Sequence, residues 1–405
     1  MGKGMTSELQ GMAALMTLAF QGADLTPIGS RLIESAGSHP ASSNAYALLD
    51  LSILLHLRGN HDIALSVQAQ ALKLRQIYTL PARQGPAIRL LAIVTPGDLS
   101  ANTPLEFLVK DSDIELTLLY LSTTLPFPDP IPEHDVAFIA VGESESALPL
   151  LFALSDLAKI WPRPVLNAPD RIAQLSRNQV SMILQDASGI YIPPSIRIPR
   201  DRLMNMALGI HNPHKNILGL NFPVIIRPLD SHAGKGLIKA DSSNTIATYL
   251  EVHNETEFYI SEYVDYCSRD GQFRKYRIVL IDGKPFASHM ALSDHWMIHY
   301  LNGGMTESAE KREEEARFMS TFDKKFAVRH QIALQTIYER FGLDYLVIDC
   351  AETTSGQLLV FEVDSSAVVH AMDSVDMFPY KQPQMQKIFS AFRAMLVSAM
   401  ARNVE

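Results

Sequence analysis

One segment, residues 222–237 with the sequence FPVIIRPLDSHAGKGL, constrains the fold most, because it joins an apolar strand to a flexible loop. The β-branched run Val224 to Ile226 is typical of a strand covered on both faces, and Arg227 follows where the strand ends. Lys235 adds a second positive charge, and small residues around it let backbone N–H groups approach an anion closely. These loop residues are Ser231, Ala233, Gly234 and Gly236. The segment predicts a lid over phosphate groups, and a plain turn between two strands is the alternative.

A second apolar strand is predicted over residues 258–264, FYISEYV, and it leads into Asp265. The end of such a strand offers main-chain N–H and C=O groups at Tyr263 and Val264 to the edge of an adenine base. The carboxylate of Glu262 can accept a hydrogen bond from the amino group of the base or from a ribose hydroxyl. An ordinary strand with one solvated glutamate is the alternative.

A β-hairpin is predicted over residues 275–284, KYRIVLIDGK, because Asp282 and Gly283 form a dipeptide that favours a two-residue turn. Side chains alternate between the two faces of a strand, so Lys275 and Arg277 share one face. The sequence therefore predicts a pair of neighbouring cations on this hairpin.

Three carboxylates follow on another predicted hairpin. Asp349 lies in the strand YLVIDC, and Glu362 and Asp364 lie in the strand LLVFEVD, with a Thr-Ser-Gly turn between the strands. Glu362 and Asp364 are two residues apart and face the same side, and Asp349 can pair across from them. Carboxylates on an apolar hairpin repel each other unless a cation lies between them, and Mg²⁺ combines few protein carboxylates with phosphate and water. A solvated sheet face is the alternative.

Together these segments resemble the ATP-grasp superfamily of carboxylate–amine ligases, over roughly residues 165–400. The likeness is greatest to the branch whose members add glutamate to a ribosomal protein, and weaker to D-alanine–D-alanine ligase and glutathione synthetase. Arg227 stands at the family's phosphate-binding lysine, and Glu262 at its adenine-binding acid. The family's metal-binding Asp, Glu and Asn are matched in order by Asp349, Glu362 and Asp364.

The chain departs from the family pattern around the phosphates. Arginine at position 227 keeps the charge of the lysine but changes its donor geometry. Asp364 adds a negative charge where the family has Asn, and Arg177-Asn178 stands where it has an Asp-Lys pair.

The run WMIHYLNGG, residues 296–304, is a further departure, because the family has an Arg and an Asn before the Gly-Gly. Met297 stands near the Arg place and His299 near the Asn place. The family's grip on the reacting phosphate is therefore either altered or transferred to His299, Asn302 and Arg277.

The resemblance implies an α/β (α+β) fold that binds ATP and two Mg²⁺ ions between lobes of about residues 167–260 and 261–405. The γ-phosphate would pass to a substrate carboxylate, and an amine would displace phosphate from the acyl phosphate to form an amide. The catalytic residues would be Arg227, Arg277, His299 and Asn302. The ATP-binding residues would be Arg227, Ser231, Gly234, Lys235, Gly236, Glu262, Tyr263, Val264, Asp265 and Lys275, with Asp349, Glu362 and Asp364 as metal ligands.

Two further domains are predicted ahead of residues 167–405. Residues 85–166 alternate strands and helices, which predicts a small open parallel α/β domain. Residues 1–84 predict helical hairpins, with Asp62 as the cap of one helix. Small and apolar residues there fall on the tetratricopeptide spacing, which is typical of peptide-binding repeats; they are Gly59, Ala64, Ala71 and Leu72. A small helical cap is the alternative.

Composition narrows the set of partners. The formal net charge of −9 argues against nucleic acid as a main partner. The absence of an apolar run of about 18 residues argues against a membrane span, and no secretory signal is recognised. Cys267 and Cys350 are predicted to be thiols of a cytoplasmic protein rather than a disulfide. A homodimer remains an open alternative.

Other interpretations of the same residues stay open. The fold is able to serve a phosphotransferase or kinase without an amine acceptor, or a non-catalytic peptide-binding module with a degenerate nucleotide site. His289, His295 and His299 suggest a zinc site, although the spacing of the last two suits a helix and the region predicts strand and loop. The charge run 307–317, ESAEKREEEAR, predicts a solvated helix.

Overall fold

A computed structural model describes residues 8–38, 41–83, 85–209, 220–231, 234–299 and 302–402. Its helices and mixed sheets confirm the predicted α/β class. The chain divides into two compact units. Unit 1 comprises Met1–Ala173, Leu343–Leu346 and Asp364–Glu405, and unit 2 comprises Gln174–Gly342 and Val347–Val363. These bounds differ from the predicted domains 1–84, 85–166 and 167–405, because the helical region, the first sheet and the C-terminal helix pack together in unit 1.

The helices are α1 (Met12–Phe20), α2 (Thr26–Ser38), α3 (Ala41–Leu57), α4 (His61–Leu74), α5 (Leu105–Val109), α6 (Leu148–Ala158), α7 (Pro169–Ile172), α8 (Arg177–Leu184), α9 (Arg200–Ala207), α10 (Ser243–Val252), α11 (Ala309–Thr321), α12 (Phe326–Arg329), α13 (Gln331–Phe341) and α14 (Lys381–Arg402). A 3₁₀ turn spans Phe322–Lys324. The strands are β1 (Ile77–Leu80), β2 (Ile88–Val94), β3 (Ile114–Tyr120), β4 (Val136–Ile139), β5 (Val165–Leu166), β6 (Ile190–Tyr191), β7 (Ser195–Pro199), β8 (Val224–Pro228), β9 (Ile238–Ala240), β10 (Glu257–Glu262), β11 (Phe273–Ile281), β12 (Lys284–Ser293), β13 (Tyr345–Glu352) and β14 (Leu358–Asp364). Among the described residues, no helix is both long enough and apolar enough to cross a bilayer.

Unit 1 is built on a five-stranded sheet in the order β1-β3-β2-β4-β5. Strands β2 to β5 are parallel, as the alternation of strands and helices predicts, and β1 joins the edge antiparallel to β3. The central strand β2, IRLLAIV, is buried at nearly every position because helices cover both faces of a parallel sheet.

The N-terminal helices of unit 1 include one close hairpin, α3 with α4. Gly59, with φ of 79°, ends the turn between the two helices, and Ala64 and Ala71 are fully buried where the helices pack. The N-cap position of α4 is occupied by Asn60 and not by Asp62, which lies in the first turn of the helix. The tetratricopeptide prediction is not confirmed. Strand β1 follows α4 directly and joins the sheet, which favours the helical-cap alternative.

Two carboxylates of unit 1 hold the beginning of α1. Asp50 accepts hydrogen bonds from the backbone N–H groups of Gln10 and Gly11, both at 2.9 Å, and Glu106 accepts one from Ala13 at 2.8 Å. These bonds satisfy N–H groups that have no partner within the helix. Removal from water raises the pKa of Asp50 to about 6 and that of Glu106 to about 7.

These raised pKa values predict a pH-dependent stability. Both folded-state values lie above the unfolded ones, near 4, so the stabilisation is complete below about pH 4 and is lost as the pH rises through about 7. The unfolding free energy of the unaltered protein should therefore fall as the pH rises from 5 to 8. In Glu106→Gln we expect this slope to be less steep, by up to about 1.4 kcal/mol per pH unit. Chemical denaturation across this range measures the slope. The matched control is Glu34→Gln, at an exposed position, and an unchanged slope in Glu106→Gln would contradict the assignment.

Unit 2 contains two sheets. The first, β7-β10-β8-β9, is antiparallel throughout and packs against α9 and α10 around an apolar core that includes Leu203, Ile226, Ile246 and Phe258. The second sheet has the order β12-β11-β13-β14-β6. The predicted Asp-Gly hairpin is confirmed between β11 and β12, where Asp282 and Gly283 have φ of 46° and 73°.

The charge run 307–317 is not a fully solvated helix. It forms most of α11, whose N-cap Ser308 accepts a hydrogen bond from the backbone N–H of Lys311. Glu315 is fully buried and accepts a hydrogen bond at 3.0 Å from the backbone N–H of Met290 in β12. The prediction of a solvated helix is wrong at Glu315, because the hydrogen bond from β12 compensates the cost of burying its carboxylate.

The two cysteines are free thiols, as predicted. Cys350 is buried in β13, where burial raises the pKa of the thiol, and Cys267 is partly exposed.

Candidate functional site

A cavity of about 250 Å³ lies within unit 2. Its apolar walls include Val180, Ile225, Leu237, Trp296 and Leu359. Its lining also carries charged and imidazole side chains, namely Arg177, Arg227, Lys275, Arg277, His299, Glu262, Asp349 and Glu362. A predominantly apolar pocket with a few convergent polar groups is the usual form of a small-molecule site.

Arg227 lies near the end of β8, where the sequence predicts a cation. Its Nε donates to Ser231 Oγ at 3.0 Å, and its guanidinium also donates to the carbonyl oxygen of Ser231. Removal from water, aided by the positive charge of Arg177, lowers the pKa of Arg227 to about 9. The guanidinium therefore stays cationic at neutral pH, and Ser231 fixes its direction at the beginning of the loop.

The glycine-rich loop connects β8 and β9, which pair antiparallel. Gly234 and Gly236 have φ of 70° and 67°, a region that other residues rarely adopt. A Cβ atom at Gly234 would lie 2.2 Å from Nε2 of His299, so the backbone approaches the imidazole as only glycine allows. Gly234 lines the cavity, Lys235 is exposed, and the carbonyl of Gly236 accepts a hydrogen bond from Tyr249 at 2.8 Å. Ala233 lies outside the described residues.

Asp349, on β13, is held by two cations of β11. Nε and a terminal nitrogen of Arg277 lie 2.7 and 2.9 Å from its two carboxylate oxygens, and Nζ of Lys275 lies at 2.7 Å. Burial alone would raise the pKa of Asp349, but the charges of Arg277 and Lys275 place it well below the usual value. The side chain is only 4% exposed and is ionised.

Glu362, on β14, is paired with Arg177 at the beginning of α8. Arg177 donates to Oε1 of Glu362 and, at 3.2 Å, to the carbonyl oxygen of Phe361. Burial opposes ionisation, but the charges of Arg177 and Arg227 lower the pKa of Glu362 to about 2. Both predicted metal ligands in the cavity are therefore carboxylates rather than carboxylic acids at neutral pH.

Asp364, the third predicted metal ligand, is not part of the cavity lining. Its Oδ1 accepts hydrogen bonds from the backbone N–H and the hydroxyl of Ser366, at 2.7 and 2.8 Å, within unit 1. Over the part of the chain that the structure describes, no three His, Cys, Asp or Glu side chains are grouped closely enough to hold a metal ion. The same observation leaves the zinc hypothesis for His289, His295 and His299 without support.

Two carboxylates nevertheless fit a magnesium site by their chemistry. Mg²⁺ commonly takes one or two protein carboxylates and completes its octahedron with phosphate oxygens and water. Asp349 and Glu362 line the same cavity and are ionised, which is the donor set that such an ion requires.

The predicted adenine-binding residues divide into two groups. Glu262, Tyr263 and Val264 line the cavity, whereas Asp265 does not. The carboxylate of Asp265 accepts a hydrogen bond at 3.0 Å from the backbone N–H of Cys267 and stabilises the turn after β10.

His299 and Asn302 are joined by reciprocal hydrogen bonds. The backbone N–H of His299 donates to Oδ1 of Asn302 at 2.8 Å, and that of Asn302 donates to the carbonyl of His299 at 3.0 Å. Nε2 of His299 is buried without a hydrogen-bond partner among the described residues. Burial, followed by the charge of Lys275, lowers the pKa of His299, so the imidazole is neutral at pH 7. Tyr300 and Leu301 lie outside the described residues.

Arg177 is the site residue that sequence reasoning missed. The sequence shows only an arginine at a position where the ATP-grasp pattern has Asp. No feature of the neighbouring sequence indicates a contact with Glu362, which lies 185 residues away. Its position at the first residue of α8, where the resembling family has the Asp of an Asp-Lys pair, is the one signal that the sequence offers.

Comparisons with known proteins found similarity only among solved structures, since no family model and no curated protein matches the chain. A D-alanine–D-alanine ligase from Bacillus anthracis complexed with ATP is 14% identical, with 78% of this chain and 99% of that chain covered and a TM-score of 0.48. The VanG D-Ala:D-Ser ligase from Enterococcus faecalis is 16% identical, with 78% of this chain and 100% of that chain covered and a TM-score of 0.46. A RimK domain ATP-grasp protein from Sphaerobacter thermophilus is 13% identical, with 76% of this chain and 99% of that chain covered and a TM-score of 0.42.

Proposed function

We propose that the protein is an ATP-dependent carboxylate–amine ligase that acts through an acyl phosphate. The observation that carries this proposal is the composition of one cavity. Two ionised carboxylates, Asp349 and Glu362, lie in it with the cations Arg227, Lys275 and Arg277 and with an apolar wall. Such a cavity suits a ligand with a flat apolar part and a polyanionic part, as ATP has.

The apolar side of the cavity would receive the adenine. Tyr263 and Val264 offer main-chain groups at the end of β10, and Glu262 offers a carboxylate. Val180, Ile225 and other apolar side chains cover the base and remove its faces from water.

The cationic side would receive the phosphates. Arg227 is directed by Ser231, and Lys275 and Arg277 lie on one face of β11. Preorganised cations stabilise the charge that develops as a phosphoryl group is transferred. Asp349 and Glu362 would hold magnesium, which offsets phosphate charge when bound.

The reaction would proceed in two displacements. A carboxylate oxygen of the substrate attacks the γ-phosphorus, the bond to the bridging oxygen breaks, and ADP leaves. The amine nitrogen then attacks the acyl carbon, inorganic phosphate leaves, and the amine loses a proton. The loop containing Gly234, Lys235 and Gly236 would exclude water, which otherwise hydrolyses the acyl phosphate. Asn302 would position His299 against this loop through their two hydrogen bonds.

The acceptor is proposed to be an amino acid or a peptide, used by a cytoplasmic enzyme. The test is to supply the full chain with ATP, Mg²⁺ and a panel of amino acids and peptides, and to measure ADP release and product masses. A product with one amide bond and equimolar phosphate supports the proposal. A stable phosphorylated product would instead support a phosphotransferase, and ATP binding without turnover would support a non-catalytic module.

A further inference from the structure

The carboxylates Asp349 and Glu362 do not face the cavity as free ligands. Each one already has a cationic partner, which is Arg177 for Glu362 and the pair Lys275 and Arg277 for Asp349. These contacts are close, with side-chain exposures of 4% for Asp349, 18–20% for the three cations and 29% for Glu362. The residues best suited to a metal ion are therefore neutralised by the protein itself.

A divalent cation that arrives alone must displace these partners. Separating a buried ion pair leaves a cation without compensation, which is strongly unfavourable. The phosphates of a nucleotide change this balance, because their oxygens form charge-assisted hydrogen bonds with guanidinium and ammonium groups. The released cations then keep an anionic partner, and the carboxylates become free to bind a metal.

We propose that the cavity is a charge-exchange site. Arg177, Lys275 and Arg277 neutralise Glu362 and Asp349 in the nucleotide-free protein and transfer to phosphate oxygens when a nucleotide binds. The two carboxylates therefore accept a divalent cation only together with the nucleotide. This inference rests on the proposed use of ATP, and it assigns to Arg177 a role as a positioning residue that controls access of the metal to Glu362.

The exchange predicts how metal and nucleotide binding depend on each other. Coupling between two binding sites is reciprocal. A nucleotide that releases the carboxylates raises the affinity of the protein for the metal, and the metal raises its affinity for the nucleotide by the same factor. If Arg177 competes with the metal for Glu362, then removing Arg177 should strengthen metal binding in the absence of nucleotide.

The experiment titrates Mn²⁺ into the full chain and measures free Mn²⁺ by electron paramagnetic resonance, with and without ADP. For the unaltered protein we expect weak Mn²⁺ binding alone and, after subtraction of the Mn²⁺ that the same ADP binds without protein, an affinity at least about tenfold higher with ADP. For Arg177→Met we expect the affinity for Mn²⁺ alone to rise about tenfold, the change expected from removing one modest ion-pair competitor. Arg177→Lys keeps the competing charge, so its affinity for Mn²⁺ alone is expected to stay below that of Arg177→Met.

The matched control is Arg274→Met. Arg274 forms ion pairs with Asp270 and Glu314 in the same unit and does not line the cavity, so its loss should not alter Mn²⁺ binding. Lys275→Met provides a second variant if Arg177→Met does not fold, because Arg277 continues to hold Asp349 and a gain of several-fold in Mn²⁺ affinity is expected.

Two results would overturn the exchange. One is tight binding of Mn²⁺ to the unaltered protein without nucleotide, and the other is unchanged Mn²⁺ affinity in folded Arg177→Met and Lys275→Met. Calorimetry with ADP alone separates these results from failure of the proposed function. A protein that binds no ADP fails as an ATP-dependent ligase, whereas one that binds ADP but shows no coupling to Mn²⁺ refutes only the exchange.

Discussion

Glu362→Gln is expected to abolish ATP turnover while the protein remains folded. Glutamine preserves the shape of the side chain, and its carbonyl oxygen still accepts a hydrogen bond from Arg177. It removes one of the two ionised carboxylates in the cavity, which weakens the binding of metal and phosphates together. ADP release at saturating and at limiting Mg²⁺ measures the effect, and calorimetry measures ATP affinity.

The matched control for this variant is Glu352→Gln. Glu352, on β13 of the second sheet of unit 2, forms an ion pair with Arg329 and a hydrogen bond with His330, both at 2.7 Å, but it does not line the cavity. We expect it to retain turnover even where it lowers the thermal midpoint. Turnover by Glu362→Gln equal to that of the unaltered protein at limiting Mg²⁺ would remove Glu362 from the metal site.

Local patterns were sufficient to predict the strands that build the cavity. The Asp282-Gly283 dipeptide predicts the β11–β12 turn because few other residues adopt its backbone angles, and the structure has this turn. Alternation along β11 places Lys275 and Arg277 on one face, and both contact Asp349. These features depend on residues close in sequence, so they can be predicted from the sequence alone.

The partners of the charged groups could not be predicted in this way. Arg177 contacts Glu362 across 185 residues, and Glu315 is buried only because β12 offers a backbone N–H. Asp364 shares the alternation of Glu362 but binds Ser366 in unit 1. Which acids meet cations, hydrogen-bond donors or solvent depends on tertiary packing, which periodicity does not encode.

The division into units illustrates the same limit. Residues 343–346 belong to unit 1 although the segments on both sides of them belong to unit 2, and residues 364–405 belong to unit 1 although the segment before them belongs to unit 2. Tyr345, for example, is fully buried in unit 1 against Phe138 and Phe392. A boundary predicted along the chain assigns residues consecutively, whereas the two units are each made of segments that are separate in the sequence.

Arg227→Ala is expected to lower the ligation rate on the order of a hundredfold or more, as for the loss of one strong transition-state donor. The guanidinium lies at the end of β8 and is directed into the cavity region by its bonds to Ser231. Arg227→Lys restores the charge without the planar fork and should recover part of the rate. Steady-state kcat and KM for ATP separate transition-state stabilisation from ground-state binding.

Arg197→Ala is the matched control for Arg227. Arg197 lies on β7 of the same sheet and pairs with Glu257, with both side chains about one-third exposed, and it does not line the cavity. Its removal should leave kcat unchanged, because an ion pair of this exposure contributes little to stability and nothing to the transferring phosphoryl group. If Arg227→Ala matched Arg197→Ala in both kcat and KM, the phosphate contact would have to come from Arg177, Lys275 or Arg277, which are the other arginine and lysine side chains that line the cavity in the described part of the chain.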